Sequence, residues 1–307
     1  MELTLAVALA VALAVVLGVW AQREWRAVRR AQRFRHRFPA GPDGVVIGAQ
    51  ARTYHGDPRR VLLLVHGYND TPASLDDMAR AIHAAGWTVR LPLLPGHGRS
   101  LEAWDDWRGA EAVALVREEY AALRRQYPTV VVGGLSMGGA LATWLAAEAD
   151  VDGLLLFAPI LFIPRPMQVA ISTARVWSLV TRHVTGGGAR SLLDPEAKRR
   201  SVSYGCSTRR SLEALESVAQ GVMPRLGFAT APTLVCQSRD DNRLPEDQSR
   251  RAIARLGATD KTVHWVEGAG HVLTMDYGWQ ALAEAVIQWL NARWPAPRVS
   301  AQRPVAD

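Results

Sequence analysis

Gly134-Leu135-Ser136-Met137-Gly138 stands between a β-branched run and a helix-forming run, and this placement constrains the chain more than any other feature. Residues 129–133 (TVVVG) read as a buried strand and residues 138–149 as a helix. A G-x-S-x-G pentapeptide joining a strand to a helix makes a sharp, strained turn that lifts its central hydroxyl above the strand end. Glycines at 134 and 138 remove side chains that would collide around Ser136. The start of the following helix favours negative charge developing nearby. A glycine-rich turn without chemistry shares this pattern, so partners for the serine must decide.

Around this turn, short apolar runs alternate with amphipathic stretches. Residues 44–50, 51–55, 61–65 (VLLLV), 87–94, 151–157, 233–237 and 261–266 read as further strands, and 73–85, 105–127, 246–256 and 279–294 as helices. Such alternation predicts an α/β fold, with a mostly parallel sheet covered by helices on both faces. Residues 161–230 interrupt it. They lack buried-strand runs, hold Pro164, Pro166 and the triplet Gly186-Gly187-Gly188, and are too long for a connection. They are expected to form a cap inserted into a catalytic domain of residues 39–294. Residues 295–307 read as a frayed polar tail.

A serine hydroxyl is a weak nucleophile and needs a base. In folds built on this turn the chain order is Ser, acid, His, with the His in the loop after the last strand. His271 follows strand 261–266 in Glu267-Gly268-Ala269-Gly270-His271 and fits that place, whereas His264 lies inside the strand. His97, in Pro95-Gly96-His97-Gly98, is expected to organise a loop, and His66 to brace one. The acid belongs after strand 233–237, where Asp240 and Asp241 are both available. It must fix the imidazole tautomer and stabilise the imidazolium. The spacing Asp241-Asn242-Arg243-Leu244-Pro245 favours Asp241. An oxyanion needs two amide donors: Met137, which follows the serine, and Tyr68 in His66-Gly67-Tyr68-Asn69-Asp70 after strand 61–65.

Residues 3–21 contain one polar residue, Thr4. As a helix they span about 28 Å, close to the ~30 Å hydrocarbon core of a bilayer, and they are apolar all round. Seven arginines follow in residues 22–37 with a single Glu24, a net of +6. Since the whole chain carries +7 and Glu2 contributes −1, the rest carries only +2. The basicity is thus a collar and not a nucleic-acid-binding face. Residues 1–38 are expected to be an anchor and basic collar that holds the catalytic domain on the cytoplasmic side. Arg23, Arg26, Arg30, Arg33 and Arg37 would form one helical stripe toward anionic lipid. A cleaved export signal is the alternative, disfavoured by Glu2 and by a poor cleavage site at Val19-Trp20-Ala21. Apolar residues are 49% and charged residues 21%, which excludes a disordered chain. Cys206 and Cys236 offer neither a disulfide framework nor a metal cluster, so no metal or cofactor is expected.

His66-Gly67-Tyr68, Pro95-Gly96-His97-Gly98, Gly134-Leu135-Ser136-Met137-Gly138-Gly139, Arg239-Asp240-Asp241 and Gly270-His271-Val272 stand in the order seen in the α/β-hydrolase superfamily. The chain resembles it over residues 40–292. Within it, the chain is most similar to bacterial carboxylesterases and monoacylglycerol lipases, through Asp105-Asp106-Trp107, Ala158-Pro159, Gln237-Ser238-Arg239 and residues 270–276 (GHVLTMD). The resemblance implies a serine hydrolase that cleaves acyl or lipid esters through an acyl-enzyme. Ser136, Asp241 and His271 would form its triad, and Tyr68 and Met137 its oxyanion hole. The N-terminal anchor and the arginine-rich cap depart from the family pattern. A peptidase, thioesterase or perhydrolase would use the same residues, and a relic scaffold is the non-enzyme reading. A dehalogenase or epoxide hydrolase would need Asp at position 136.

Overall fold

A computed structural model describes residues 2–296. The main sheet holds β1 (Arg52–Tyr54), β2 (Asp57–Val65), β3 (Trp87–Leu91), β4 (Thr129–Leu135) and β5 (Gly153–Phe157). A two-stranded ribbon, β6 (Val184–Thr185) with β7 (Cys206–Ser207), stands apart, and β8 (Thr233–Ser238) and β9 (Lys261–Val266) complete the sheet. The order is β1-β3-β2-β4-β5-β8-β9, parallel throughout except for the edge strand β1.

The helices are α1 (Glu2–Arg37), α2 (Asp76–Ala84), α3 (Leu101–Asp106), α4 (Gly109–Arg124), α5 (Met137–Ala146), α6 (Arg165–Ser172), α7 (Ala174–Val180), α8 (Pro195–Arg200), α9 (Arg209–Val222), α10 (Glu246–Ala254) and α11 (Trp279–Arg293). Strand β2 shows why two helical layers are needed. Successive side chains point to opposite faces, so Leu63 and Val65 join one core with α4, α5 and α9, while Leu62 and Leu64 join another with α2 and α11. Both faces of the strand are sealed, which is why its five-residue apolar run needs no polar alternation.

Three stretches differ from the sequence reading. Residues 44–50 turn instead of forming a strand, with one bridge between Ala40 and Val46; Gly44 and Gly48 both adopt positive φ there. The strand read over 87–94 stops at Leu91. The helix read over 105–127 is broken at Trp107 and Arg108, both extended, between α3 and α4. Glu111 accepts from the Arg108 amide at 3.1 Å and starts a new helix. The Trp107 ring meanwhile packs against His97 at 5.1 Å.

Helix α1 does not stop where its apolar run ends. Alanine, glutamine and arginine carry it on to Arg37, with Pro39 just beyond. Its first half is exposed, from Leu3 at 80% to Leu17 at 55%, and is long and apolar enough to cross a membrane. Its second half docks on the body. Ala27 and Ala31 are buried, Phe34 stacks on Tyr204 at 4.9 Å, and Arg23 Nε donates to the Ser178 carbonyl on α7 at 2.9 Å.

Residues 161–230 bring α6, the ribbon and the start of α9 around the cavity at the turn holding Ser136, and also contain α7 and α8. Helix α9 closes the segment and buries Leu212, Leu215, Val218 and Val222.

Candidate active site

Ser136 sits at φ 53° and ψ −110°, in a region L-residues avoid. Hydrogen bonds hold it there: its amide donates to Phe157 O at 2.8 Å, and its carbonyl accepts from Ala140 and Ile160, each at 3.1 Å. A Cβ on Gly138 would collide with the carbonyl of Val65, and one on Gly134 with the backbone of Gly138. Both flanking positions therefore require glycine.

His271 Nε2 lies 2.8 Å from Ser136 Oγ, and His271 Nδ1 lies 2.9 Å from Asp241 Oδ2. Burial pushes the Asp241 pKa up. The charge and hydrogen bond of His271, with the Leu244 and Arg243 amides, outweigh it and leave the carboxyl below its ordinary value. Those amides donate to Oδ1 at 2.9 and 2.8 Å, and Gln237 Nε2 donates to Oδ2 at 2.9 Å. Asp240 faces elsewhere and accepts from the Gly268 amide at 2.7 Å. The His271 loop is cradled by Asp276, which is fully buried and accepts from the amides of Leu193, Asp194, Gly270 and Tyr277.

The loop after β2 lies against this turn. A Cβ on Gly67 would stand 3.5 Å from Ser136 Cβ, which puts the Tyr68 segment beside the serine. Met137 begins α5 on its other side. Two histidines hold the loop. His66 is buried, with Nδ1 2.9 Å from Gly67 O and Nε2 accepting from the Leu94 amide at 3.1 Å. His97 Nδ1 lies 2.8 Å from Pro95 O, and its ring packs on His66 at 5.0 Å. Burial lowers the His66 pKa to about 4, so its ring is neutral and can accept that amide.

Ser136, His271 and Tyr68 line a cavity of about 350 Å³ under the cap, with Met167, Leu212 and Leu215 among its apolar walls. Asp241 and Met137 stand behind them.

Three residues at the site have roles that the motifs did not reveal. Asn69, at φ 59°, donates to Gly186 O at 3.1 Å and Cys206 O at 2.9 Å, and its Oδ1 accepts from the Gly205 amide at 3.0 Å. It ties the Tyr68 loop to the cap ribbon. Asp70 is a buried carboxyl in the cavity wall, bonded to Ser74 Oγ at 2.5 Å and the Thr71 amide at 2.9 Å. Burial raises its pKa to about 7. Asp276 is the third. Only the Asn-Asp pair after the first glycine loop hinted at the first two, since asparagine and aspartate tolerate left-handed backbone and bond locally.

The parallel sheet with one antiparallel edge, the strained serine turn and the cap define an α/β hydrolase. A family model described as serine aminopeptidase, S33, matches residues 56–277, and the chain belongs to that family. It is 28% identical over 238 residues to a thermostable monoacylglycerol lipase of Bacillus sp. (strain H-257), covering 74% of this chain and 89% of that one. It is 24% identical over 250 residues to a carboxylesterase of Bacillus subtilis (strain 168), covering 80% and 98%. A solved structure from work on LipS and LipT, two metagenome-derived lipolytic enzymes, superposes with a TM-score of 0.73 at 23% identity, covering 80% of this chain and 98% of that one. The protein is a hydrolase.

Proposed function

We propose that this protein is a membrane-tethered serine esterase that cleaves carboxylic esters, with monoacylglycerol-like lipids as the substrate class. The observation that carries this reading is the relay from Ser136 through His271 to Asp241 at an apolar cavity. Ser136 Oγ attacks the ester carbonyl carbon while His271 Nε2 takes its proton. The Tyr68 and Met137 amides receive the tetrahedral oxyanion. Collapse breaks the ester C–O bond, and the alcohol leaves with the proton from His271. Water then repeats the sequence on the acyl-enzyme, releasing the acid and free Ser136. Asp241, held ionised, orients the ring and stabilises its protonated form.

Residues 1–38 act as anchor and collar and residues 39–294 as the catalytic unit; the tail read over 295–307 lies, from residue 297 on, outside the described residues. Helix α1 would serve as the anchor, and its arginine flank favours the cytoplasmic side for the catalytic unit.

A fluorophosphonate probe should label the wild-type chain at Ser136, and Ser136→Ala should lose roughly 10³-fold or more in kcat on a short-chain nitrophenyl ester. Near wild-type turnover by that variant would sink the assignment. A peptide-amide panel run in parallel separates esterase from peptidase. Removing residues 1–21, while sparing the docked turns, should release an active soluble protein. Protease accessibility on spheroplasts, or a mature N-terminus at Gln22, would overturn the cytoplasmic placement.

A further inference from the structure

The docked half of α1 presents two unlike sides. One faces a cleft lined by Glu102, Asp105 and Asp106, where arginine charge is answered within the protein. The other opens on a groove of about 580 Å³ between α1 and the ribbon β6–β7. Six arginines line that groove: Arg26, Arg29, Arg30, Arg33 and Arg37 from α1, and Arg190 from the cap. Neither aspartate nor glutamate is among its lining residues. Among the described residues, none of the six forms an ion pair with a carboxylate. Arg29 lies over the ring of Trp25 and Arg37 over that of Phe38, contacts that leave their charge unneutralised.

Within α1 these arginines fall at spacings of three and four, where like charges destabilise a helix. The chain pairs most of its other arginines with carboxylates and leaves these six lining one groove, a basic site open to an external anion. Guanidinium forks match phosphate oxygens two by two. The groove's position narrows the source. Arg26 lies five residues past Ala21, about 8 Å along the helix beyond the apolar run, at the outer edge of the headgroup layer, and the groove runs on from there toward Arg37. At the other wall, Thr185 and Gly187 line both this groove and the cavity of Ser136. A phosphate held among the arginines is therefore one ribbon's width from the acyl site.

We propose that this groove binds the phosphate of a lipid headgroup, and that the preferred esters are acyl lipids carrying a phosphate. The preference for such esters rests on the esterase reading above; the binding site does not.

The full chain in neutral detergent micelles tests both parts. The Ser136→Ala chain, titrated calorimetrically, should bind 1-oleoyl-lysophosphatidylglycerol about tenfold or more tightly than 1-oleoylglycerol, the scale of a lost charge-assisted hydrogen bond, and salt should weaken it. Arg30→Gln/Arg33→Gln, and separately Arg190→Gln on the opposite wall, should remove that preference. In the catalytically intact chain, the same variants should lower the ratio of kcat/KM for the anionic over the neutral ester by a similar factor. Equal binding of the two lipids, or a preference that both variants retain, overturns the site. Inorganic phosphate binding as tightly as the lipid overturns the lipid source. If no ester is cleaved while the calorimetric preference stands, the esterase reading has failed and the headgroup site has not.

Discussion

Helix α5, which begins directly after Ser136, and the cap helices α6 and α7 are built on opposite principles. In α5 nine residues are buried, among them Gly138 and Gly139, whose lack of a side chain lets the helix close against its neighbours. In α6 no residue is buried, and in α7 only Ala174 is. Val176 and Leu179 stand out at 71% and 70% exposure. The side that fixes the nucleophile is packed to the point where an added methyl group collides. The cap helices are mostly exposed, and a loosely packed wall can change shape. On the proposed reading, chemistry and selectivity would reside in parts of different rigidity.

The comparison can be broken most sharply on the rigid side. Asp241→Asn should reduce kcat by roughly 10⁴-fold, as the wrong imidazole tautomer does elsewhere, while Asp240→Asn should leave turnover within about twofold of wild type. The reverse outcome in steady-state kinetics would mean that the carboxylate beside His271 has been misassigned.

Stability measurements should separate the two regions next. Leu156→Ala, on the fully buried strand β5, should cost about 2–5 kcal/mol in chemical denaturation. Leu179→Ala, on α7, should stay within about 0.5 kcal/mol. Equal costs would mean that the cap is packed as firmly as the sheet.

A further test uses pH and concerns Asp70. Its folded pKa, raised to about 7, lies above the unfolded value of about 4, so the folded state keeps a proton that the unfolded state releases. Its stabilising contribution is complete below the unfolded value and is lost as pH rises through 7. Asp70→Asn should therefore flatten the decline in stability between pH 4 and 7. A denaturation series across that range that keeps the same slope in the variant would exclude Asp70 as its source.

Much of the rigid side was legible in the sequence, and the reason is local. The Ser136 turn, the order of acid and histidine, and the bracing histidines all rest on short motifs in fixed strand contexts. Of the five expected site residues, Ser136, His271 and Tyr68 line one cavity, Asp241 is bonded to His271 behind it, and Met137 follows the serine at the start of α5. What escaped was long-range. The break at Trp107 depends on packing against His97, which precedes it by a whole helix. The cradle around Asp276 collects amides from Leu193 and Asp194, some eighty residues away. The extension of α1 onto the body was hidden because its arginines read as a stripe toward lipid, whereas several of them turn toward the cap.

Asn69 gives the two regions a shared clock. Its three hydrogen bonds fasten the segment that carries Tyr68 to both arms of the ribbon, around Gly186 and at Gly205 and Cys206. A cap that lifts to let a molecule in or out must release these bonds or pull that segment with it. On the proposed reading, entry, reaction and departure would be successive phases of one cycle, with the Tyr68 amide in register while the cap is seated and released as the product leaves.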